Sequence, residues 1–399
     1  MSLRLLVKEL ASALPLLHGV SERSMQNQKV NRKVPFFDFP TLFTEHEAEY
    51  VQIFREVASR GSFILQRDIA EFENNIKSFL NVKHAITVSD CTNAILLGLR
   101  ALGIGGGDEV ILASHSFVAA AQSIHYTGAT PIPVEIASDR LVEPKAVEQA
   151  ITSKTKAIMP VHVNGRICNI EALINIAQHH NLLIVEDAAQ ALGATFQGKY
   201  AGTFGSFGTF SFYPSKVLGC LGDGGILVTN DDDLARRVLL MRNHGADPDQ
   251  DKKIVAWGTN SRLDNIQAAI LNYKLGHFAE DIARRRAIAR KYHQAFCDIK
   301  DLGLPPAPDR DPDYFDVYQN YEIESGRRDE LRSFLAERGI GTIIQWGGIP
   351  LHQMTHLGFN QHLPITDRFF ERCFLLPMNH MLSDDDTDYI CETVQDFYS

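Results

Sequence analysis

Apolar positions recur along this chain with two different periods, and the switching between them sets out its elements. From Val34, the stretch PFFDFPTLFTEHEAEYVQIFREVASRG places apolar side chains every three to four residues, the stripe of an amphipathic helix, with the polar Thr44 as its opening residue. A second helix is predicted near Arg67 to Phe79. Beyond it, short β-branched runs alternate with helical segments: HAITV then TNAILLGLRALG, EVILAS then SFVAAAQSIHYTG, TPIPVEI, KAIMPVHV then IEALINIAQHHN, LLIVEDAA, GTFSFY, and GILVTN then DDLARRVLLMRNHG. Continuous apolar strands separated by helices predict a mainly parallel sheet covered on both faces, since a strand buried on both sides has no polar face to alternate. The fold class is therefore α/β. Gly103, Gly105, Gly106 and Gly107 in ALGIGGGDEV offer the positive φ that a helix-to-strand return needs.

After residue 264, DNIQAAILNYKLGHFAEDIARRRAIARKYHQAF reads as one long helical stretch with Arg284 to Arg286 on a solvated face. The Pro- and Asp-rich LPPAPDRDPDYFDVY is an irregular connection. NYEIES, a helix at RRDELRSFLAERG and a strand at GTIIQW then predict a smaller α+β lobe. The expected division is an N-terminal extension over 1–34, a large α/β domain over 35–270 and a small α+β domain over 271–399, which suits 399 residues at roughly 150 per folding unit. The first 24 residues carry leucines at helical spacing, broken by Lys8, Glu9 and Pro15, so no run there is long enough for a signal or a membrane span.

Charge excludes some partners. With 39 Lys+Arg against 49 Asp+Glu the formal net charge is -10, which repels phosphate backbones and anionic lipid, so neither nucleic acid nor membrane is an expected partner. The six cysteines are scattered without a CxxC pair, the usage of a reducing cytoplasm. Fifteen histidines include no HxxxH or HxH beside a carboxylate, so no metal is expected.

Candidate chemistry gathers around one lysine. In FGTFSFYPSKVLGCLGDGG, Lys216 stands among aromatic and small residues, between Ser215 and a glycine-rich continuation. Neighbours that desolvate a lysine disfavour its ammonium, and the free amine can form a Schiff base with an aldehyde, which suits pyridoxal phosphate. A side chain snorkelling from a strand end is the plain alternative. Upstream, the apolar strand of LLIVEDAA ends in Glu186 and Asp187, at the carboxyl end of a parallel strand where open α/β sheets bind ligands; Asp187 would keep the pyridine nitrogen cationic, or merely cap a helix. In HAITVSDCTNAILLGLRALG, Thr92 and Asn93 fall at the amino end of a helix, where free N–H groups and the dipole favour a phosphate, although a simple Asp/Thr cap fits as well. Ser211 offers the phosphate a further hydroxyl, and Phe117 a face for stacking, or a core aromatic. His162 in PVHVNG is a candidate wall residue.

Taken together, SDCTNAILLGLRALGIGGGDEVI, SHSFVAAAQSI, MPVHVNG, VEDAAQALGA, FSFYPSKVLGCLGDGG, RNHG and GTNSRLDNIQAAIL resemble the DegT/DnrJ/EryC1/StrS aminotransferases over about residues 35 to 399. The resemblance implies a fold-type I enzyme with a seven-stranded sheet, pyridoxal 5'-phosphate as cofactor, L-glutamate as amino donor and a carbonyl sugar as acceptor. It assigns Lys216 the covalent link and the proton transfers, Asp187 the ring nitrogen, Gln190 the ring hydroxyl, Thr92, Asn93 and Ser211 the phosphate, and Phe117 the stacking. Asn260, with Arg262 as competitor, is assigned to a segment reaching the partner's site in a homodimer. A sugar dehydratase on this scaffold has histidine where Lys216 stands, and a regulator needs a DNA-reading face that the acidic balance does not supply.

Two stretches depart from the common pattern: SFILQR at 62–67 and GTIIQWGGIPLHQ at 341–353. With LPMNHMLSDDD they resemble a subgroup that makes 8-amino-3,8-dideoxy-manno-octulosonate for lipopolysaccharide; a nucleotide-linked keto-6-deoxyhexose is the alternative acceptor. Gln345, Trp346, Gly347, Gly348 and His352 are expected to shape the acceptor pocket, and Arg67 and Arg166 are the cations considered for an anionic acceptor.

Overall fold

Seven strands make the central sheet: β1 His84–Val88, β2 Glu109–Ala113, β3 Thr130–Val134, β4 Thr155–Met159, β5 Leu183–Asp187, β6 Phe207–Ser211 and β7 Gly225–Thr229. The computed structural model describes residues 32–399, so the expectations for the first 24 residues lie outside the described residues. The sheet order is β1-β7-β6-β5-β4-β2-β3. All neighbours run parallel except the two pairs made by β7. Parallel neighbours need a crossover, commonly a helix, and between β6 and β7 the chain has only the loop that carries Lys216. An antiparallel return is what that connection permits.

Burial explains the unbroken apolar runs. Ile111, Ile158, Ile184, Phe210 and Ile226 pack into one hydrophobic cluster with Phe72 and Leu271. Their sequence neighbours Val110, Leu112, Ala157, Val185 and Leu227, with Phe207 at the start of β6, pack into a second with Ile95 and Leu97. Successive residues of a strand point to opposite faces, so both faces of this sheet are core. Glycine is required where β7 meets the helix Cys91–Ala101: a Cβ on Gly225 would lie 2.3 Å from the carbonyl carbon of Asp90 and 2.5 Å from the nitrogen of Cys91. That close approach seats the helix's amino end against the start of β7.

A third cluster gathers Val34, Tyr292, Phe296, Tyr321, Ile323, Leu335, Phe374 and Leu376 around an antiparallel sheet of β8 Leu302–Gly303, β9 Tyr321–Ser325 and β10 Cys373–Leu376.

The structure corrects four readings. Thr44 does not open a helix but ends one: Asp38 caps Phe39–Thr44, accepting the Thr41 N–H at 3.3 Å, and a new helix Glu47–Ser59 follows. The long stretch after 264 is two helices, Asn265–Leu275 and Phe278–Phe296, separated at Gly276 and His277. Arg285 and Arg286 are not on a solvated face; both are buried, because their guanidinium groups satisfy backbone carbonyls that periodicity cannot register. Finally, GTIIQW is not a strand: only Ile343 bridges to Leu375, and Gln345–Gly348 form a distorted turn with Trp346 and Gly347 at positive φ.

Candidate active site

The carboxyl ends of β5 and β6, the loop after β6 and the amino end of the helix Cys91–Ala101 enclose a cavity of about 510 Å³. Thr92, Phe117, His162, Asp187, Gln190, Ser211, Lys216 and Trp346 all line it. Asn93, Arg166, Asn260, Gln345 and His352 do not.

Each lining residue is placed by an ordinary structural requirement. Because strand side chains alternate, Glu186 and Asp187 face opposite ways. Glu186 is fully buried and accepts the N–H groups of Gly202 at 2.7 Å, Phe204 at 2.6 Å and Gly205 at 2.7 Å, and lies 3.0 Å from His162 Nε2. It is a scaffold carboxyl group, holding the loop 202–205 in place. Asp187 points into the cavity, where Oδ1 accepts the Ala189 N–H at 3.0 Å. His162 completes its own set through Nδ1, which accepts the Cys168 N–H at 3.2 Å and leaves the ring proton on Nε2 for Glu186.

At the helix end, Asp90 is the N-cap and accepts the Asn93 N–H at 2.8 Å. The Asn93 amide is committed to the same cap, donating to Asp90 Oδ2 at 2.7 Å and Ser89 Oγ at 3.2 Å. Thr92 is left facing the cavity, beside the free N–H groups of the first turn. The capping reading thus holds for Asp90 and Asn93, while Thr92 lines the cavity. Phe117, at the N-cap of the helix Val118–His125, is 53% exposed and presents its ring to the cavity. Gln190 is aimed by its side-chain oxygen, which accepts the Asn164 N–H at 2.6 Å.

Electrostatics moves the two central groups in opposite directions. Burial lowers the Lys216 pKa below the ordinary lysine value, against the opposing pull of Cys91 and Asp187. Burial raises that of Asp187, against the Ala189 N–H, Lys216 and His162. Each is pushed toward its neutral form, the direction that favours a nucleophilic amine and a carboxyl group able to share a proton. A lysine with a lowered pKa, a carboxyl group with a raised one, a helix amino end and an exposed aromatic ring share this lining, a set of groups that fits pyridoxal phosphate.

The chain matches the family profile of the DegT/DnrJ/EryC1/StrS aminotransferases over residues 44–395. It belongs to that family. Its cofactor is pyridoxal phosphate, and it is a sugar aminotransferase. Among its relatives, a Streptomyces venezuelae protein named dTDP-3-amino-3,4,6-trideoxy-alpha-D-glucose transaminase is 41% identical, over 82% of this chain and 85% of that one. A Geobacillus stearothermophilus protein named pleiotropic regulatory protein is 37% identical, over 92% of this chain and 98% of that one. Among solved structures, DesV of S. venezuelae in complex with a ketimine intermediate superposes with a TM-score of 0.87 at 37% identity, covering 92% of this chain and 99% of that one. These relatives do not support the octulosonate subgroup.

The residues that do not reach the cavity have other partners. His352 is buried between Ser114 Oγ at 2.7 Å and Asp367 Oδ1 at 2.8 Å. Gln345 donates to Asn164 Oδ1 at 2.7 Å and Glu322 Oε1 at 3.2 Å. Arg166 pairs with Asp316 at 2.7 Å and stacks 3.8 Å over the Tyr314 ring. Arg67 opens the helix Arg67–Leu80, away from the cavity lining. Asn260 is exposed and bridges to Asn243, whose side-chain oxygen also accepts from Arg262 at 3.0 Å. Sequence reasoning missed Tyr213 and Asp223 in the lining. Both sit in the segment quoted for Lys216, within FYPSK and GDGG, so proximity to the lysine was the available signal.

Proposed function

We propose that the protein moves an amino group from L-glutamate to the carbonyl carbon of a nucleotide-linked keto sugar. The observation that carries this reading is the meeting of Lys216, Asp187 and Thr92 in one cavity. When bound, the cofactor supplies an electron sink that stabilises negative charge at the donor's α-carbon. Thr92, Ser211 and the first turn of the helix Cys91–Ala101 hold its phosphate, Asp187 holds its ring nitrogen, and Phe117 covers its face. The Lys216 amine, its pKa lowered by burial, moves the proton at the donor carbon in the first half-reaction and the proton at the acceptor carbon in the second. Donor and acceptor use the same site in turn, so the kinetics are ping-pong.

The nucleotide-linked acceptor is supported by the name of the S. venezuelae relative, a dTDP-sugar transaminase. We further place the active unit as a homodimer in the cytoplasm. Exposed Lys252, Lys253, Ile254, Val255 and Trp257, the last 97% exposed, favour a segment that covers a neighbouring subunit. Those two lysines also offer the cations that a sugar diphosphate needs, for among the described residues lining the cavity there is no lysine or arginine besides Lys216.

The test supplies purified holoenzyme with glutamate and, in parallel, a nucleotide-linked keto-6-deoxyhexose and the 8-oxo form of 3-deoxy-manno-octulosonate. Amination of the nucleotide sugar is expected. Preference for the octulosonate, or turnover of neither, overturns the proposed acceptor.

A further inference from the structure

Lys216 has no helix or strand of its own. It lies in the loop between β6 and β7, yet its chemistry requires that its amine return to one place after each proton transfer. Two peptide units flank its Cα. In the first, the Lys216 N–H donates to the Tyr213 carbonyl at 2.9 Å. The remaining contacts come from one distant side chain. Gln319 Nε2 donates to the Ser215 carbonyl at 2.9 Å, and Gln319 Oε1 accepts the Val217 N–H at 2.9 Å. A single amide thus grips the backbone on both sides of Lys216, and three of the four polar groups in the two flanking peptide units are held.

Gln319 is itself fixed. It is buried, and its carbonyl accepts from Arg285 Nη1 at 3.0 Å; the same guanidinium takes the carbonyls of Tyr318 at 3.3 Å and Met378 at 3.1 Å. Gly165 packs against this backbone so closely that a Cβ there would lie 2.9 Å from the nitrogens of Tyr318 and Gln319. The clamp therefore rests on a locked segment that leads directly into β9.

We propose that Gln319 is a positioning residue for Lys216: its amide fixes the root of the lysine side chain so that the amine stays aligned with the carbon it deprotonates. This rests on the assignment of Lys216 as the proton carrier made above. The side chain of lysine has four rotatable bonds, so a small tilt at its Cα is amplified at Nζ, and misplacement by about 1 Å can cost about 100-fold in rate.

The experiment uses reconstituted holoenzyme, wild type against Gln319→Met and Gln319→Glu. Methionine keeps the length and loses both hydrogen bonds; glutamate keeps the acceptor for Val217 and loses the donor to Ser215. Cofactor content and the site of borohydride attachment are measured first. Attachment away from Lys216 in the wild type would reject the underlying assignment rather than the clamp. With that attachment established, Gln319→Met is expected to retain cofactor and donor KM within about twofold while kcat of the glutamate half-reaction falls about 10- to 100-fold. The isotope effect with α-deuterated glutamate should rise, and the pH midpoint of the visible band should move. Gln319→Glu should fall between the two. Wild-type kcat and isotope effect in Gln319→Met, or a rate loss matched by cofactor loss at an unchanged isotope effect, would overturn the inference. Should Gln319→Met not fold, Gln319→Glu decides on the same readouts.

Discussion

The strand-end wall of the cavity and the segment 341–353 were both expected to build the site, and they differ in how side chains relate to local sequence. In the wall, Thr92, Asp187 and Ser211 follow from position alone: first turn of a helix, last residue of β5, last residue of β6. In 341–353, Trp346 reaches the cavity while Gln345 and His352, beside and near it, turn into buried hydrogen bonds. A regular element dictates where its next side chain points, whereas an irregular turn does so only through contacts made far along the chain.

The contrast can be broken most severely at Lys216. Lys216→Ala should abolish the glutamate half-reaction by at least about 10⁴-fold, since the proposed function makes this residue both the covalent link and the proton carrier. Single-turnover absorbance measures this, and a loss under tenfold would remove the lysine from its role. The irregular segment should respond more mildly and selectively. Trp346→Ala is expected to raise acceptor KM about tenfold with donor KM nearly unchanged, whereas His352→Ala should leave both KM values and instead lower stability by about 1–3 kcal/mol, the cost of stranding a buried partner. If His352→Ala changed acceptor KM and not the denaturation midpoint, the division drawn between these neighbours would fail.

The smallest effect is electrostatic. Because burial lowers the Lys216 pKa, the free amine persists to lower pH than at an exposed lysine. Asp187 pulls the other way by favouring the ammonium, so Asp187→Asn should lower the midpoint further. Trapping an aldehyde probe on the apoprotein with borohydride across pH reads both. A wild-type midpoint at or above that of exposed lysines, or an upward move in the variant, contradicts the assignment.

Much of this was legible beforehand for a physical reason. The α/β alternation needed only the two periods of hydrophobicity, and the expectation that Lys216 and Asp187 share a cavity needed only their flanking residues and the strand end. The antiparallel turn of β7 was also readable in retrospect, since no helical segment separates FSFY from GILV. Arg285 was not: three arginines in a row resemble a solvated face until the carbonyls of Tyr318, Gln319 and Met378 are brought to one of them. For the same reason the clamp on Lys216 was invisible, its two halves lying about a hundred residues apart.

Glu186 and Asp187 are adjacent carboxylates with unrelated tasks, separated only by the pleat of β5. Deleting one residue upstream in that strand would exchange them, turning the loop anchor toward the cavity and the cavity's acid toward the amides of Gly202, Phe204 and Gly205. The length of β5 is thus under tighter constraint than its composition: conservative swaps of its aliphatic residues are tolerable, while any odd-numbered slip disturbs loop and cavity together.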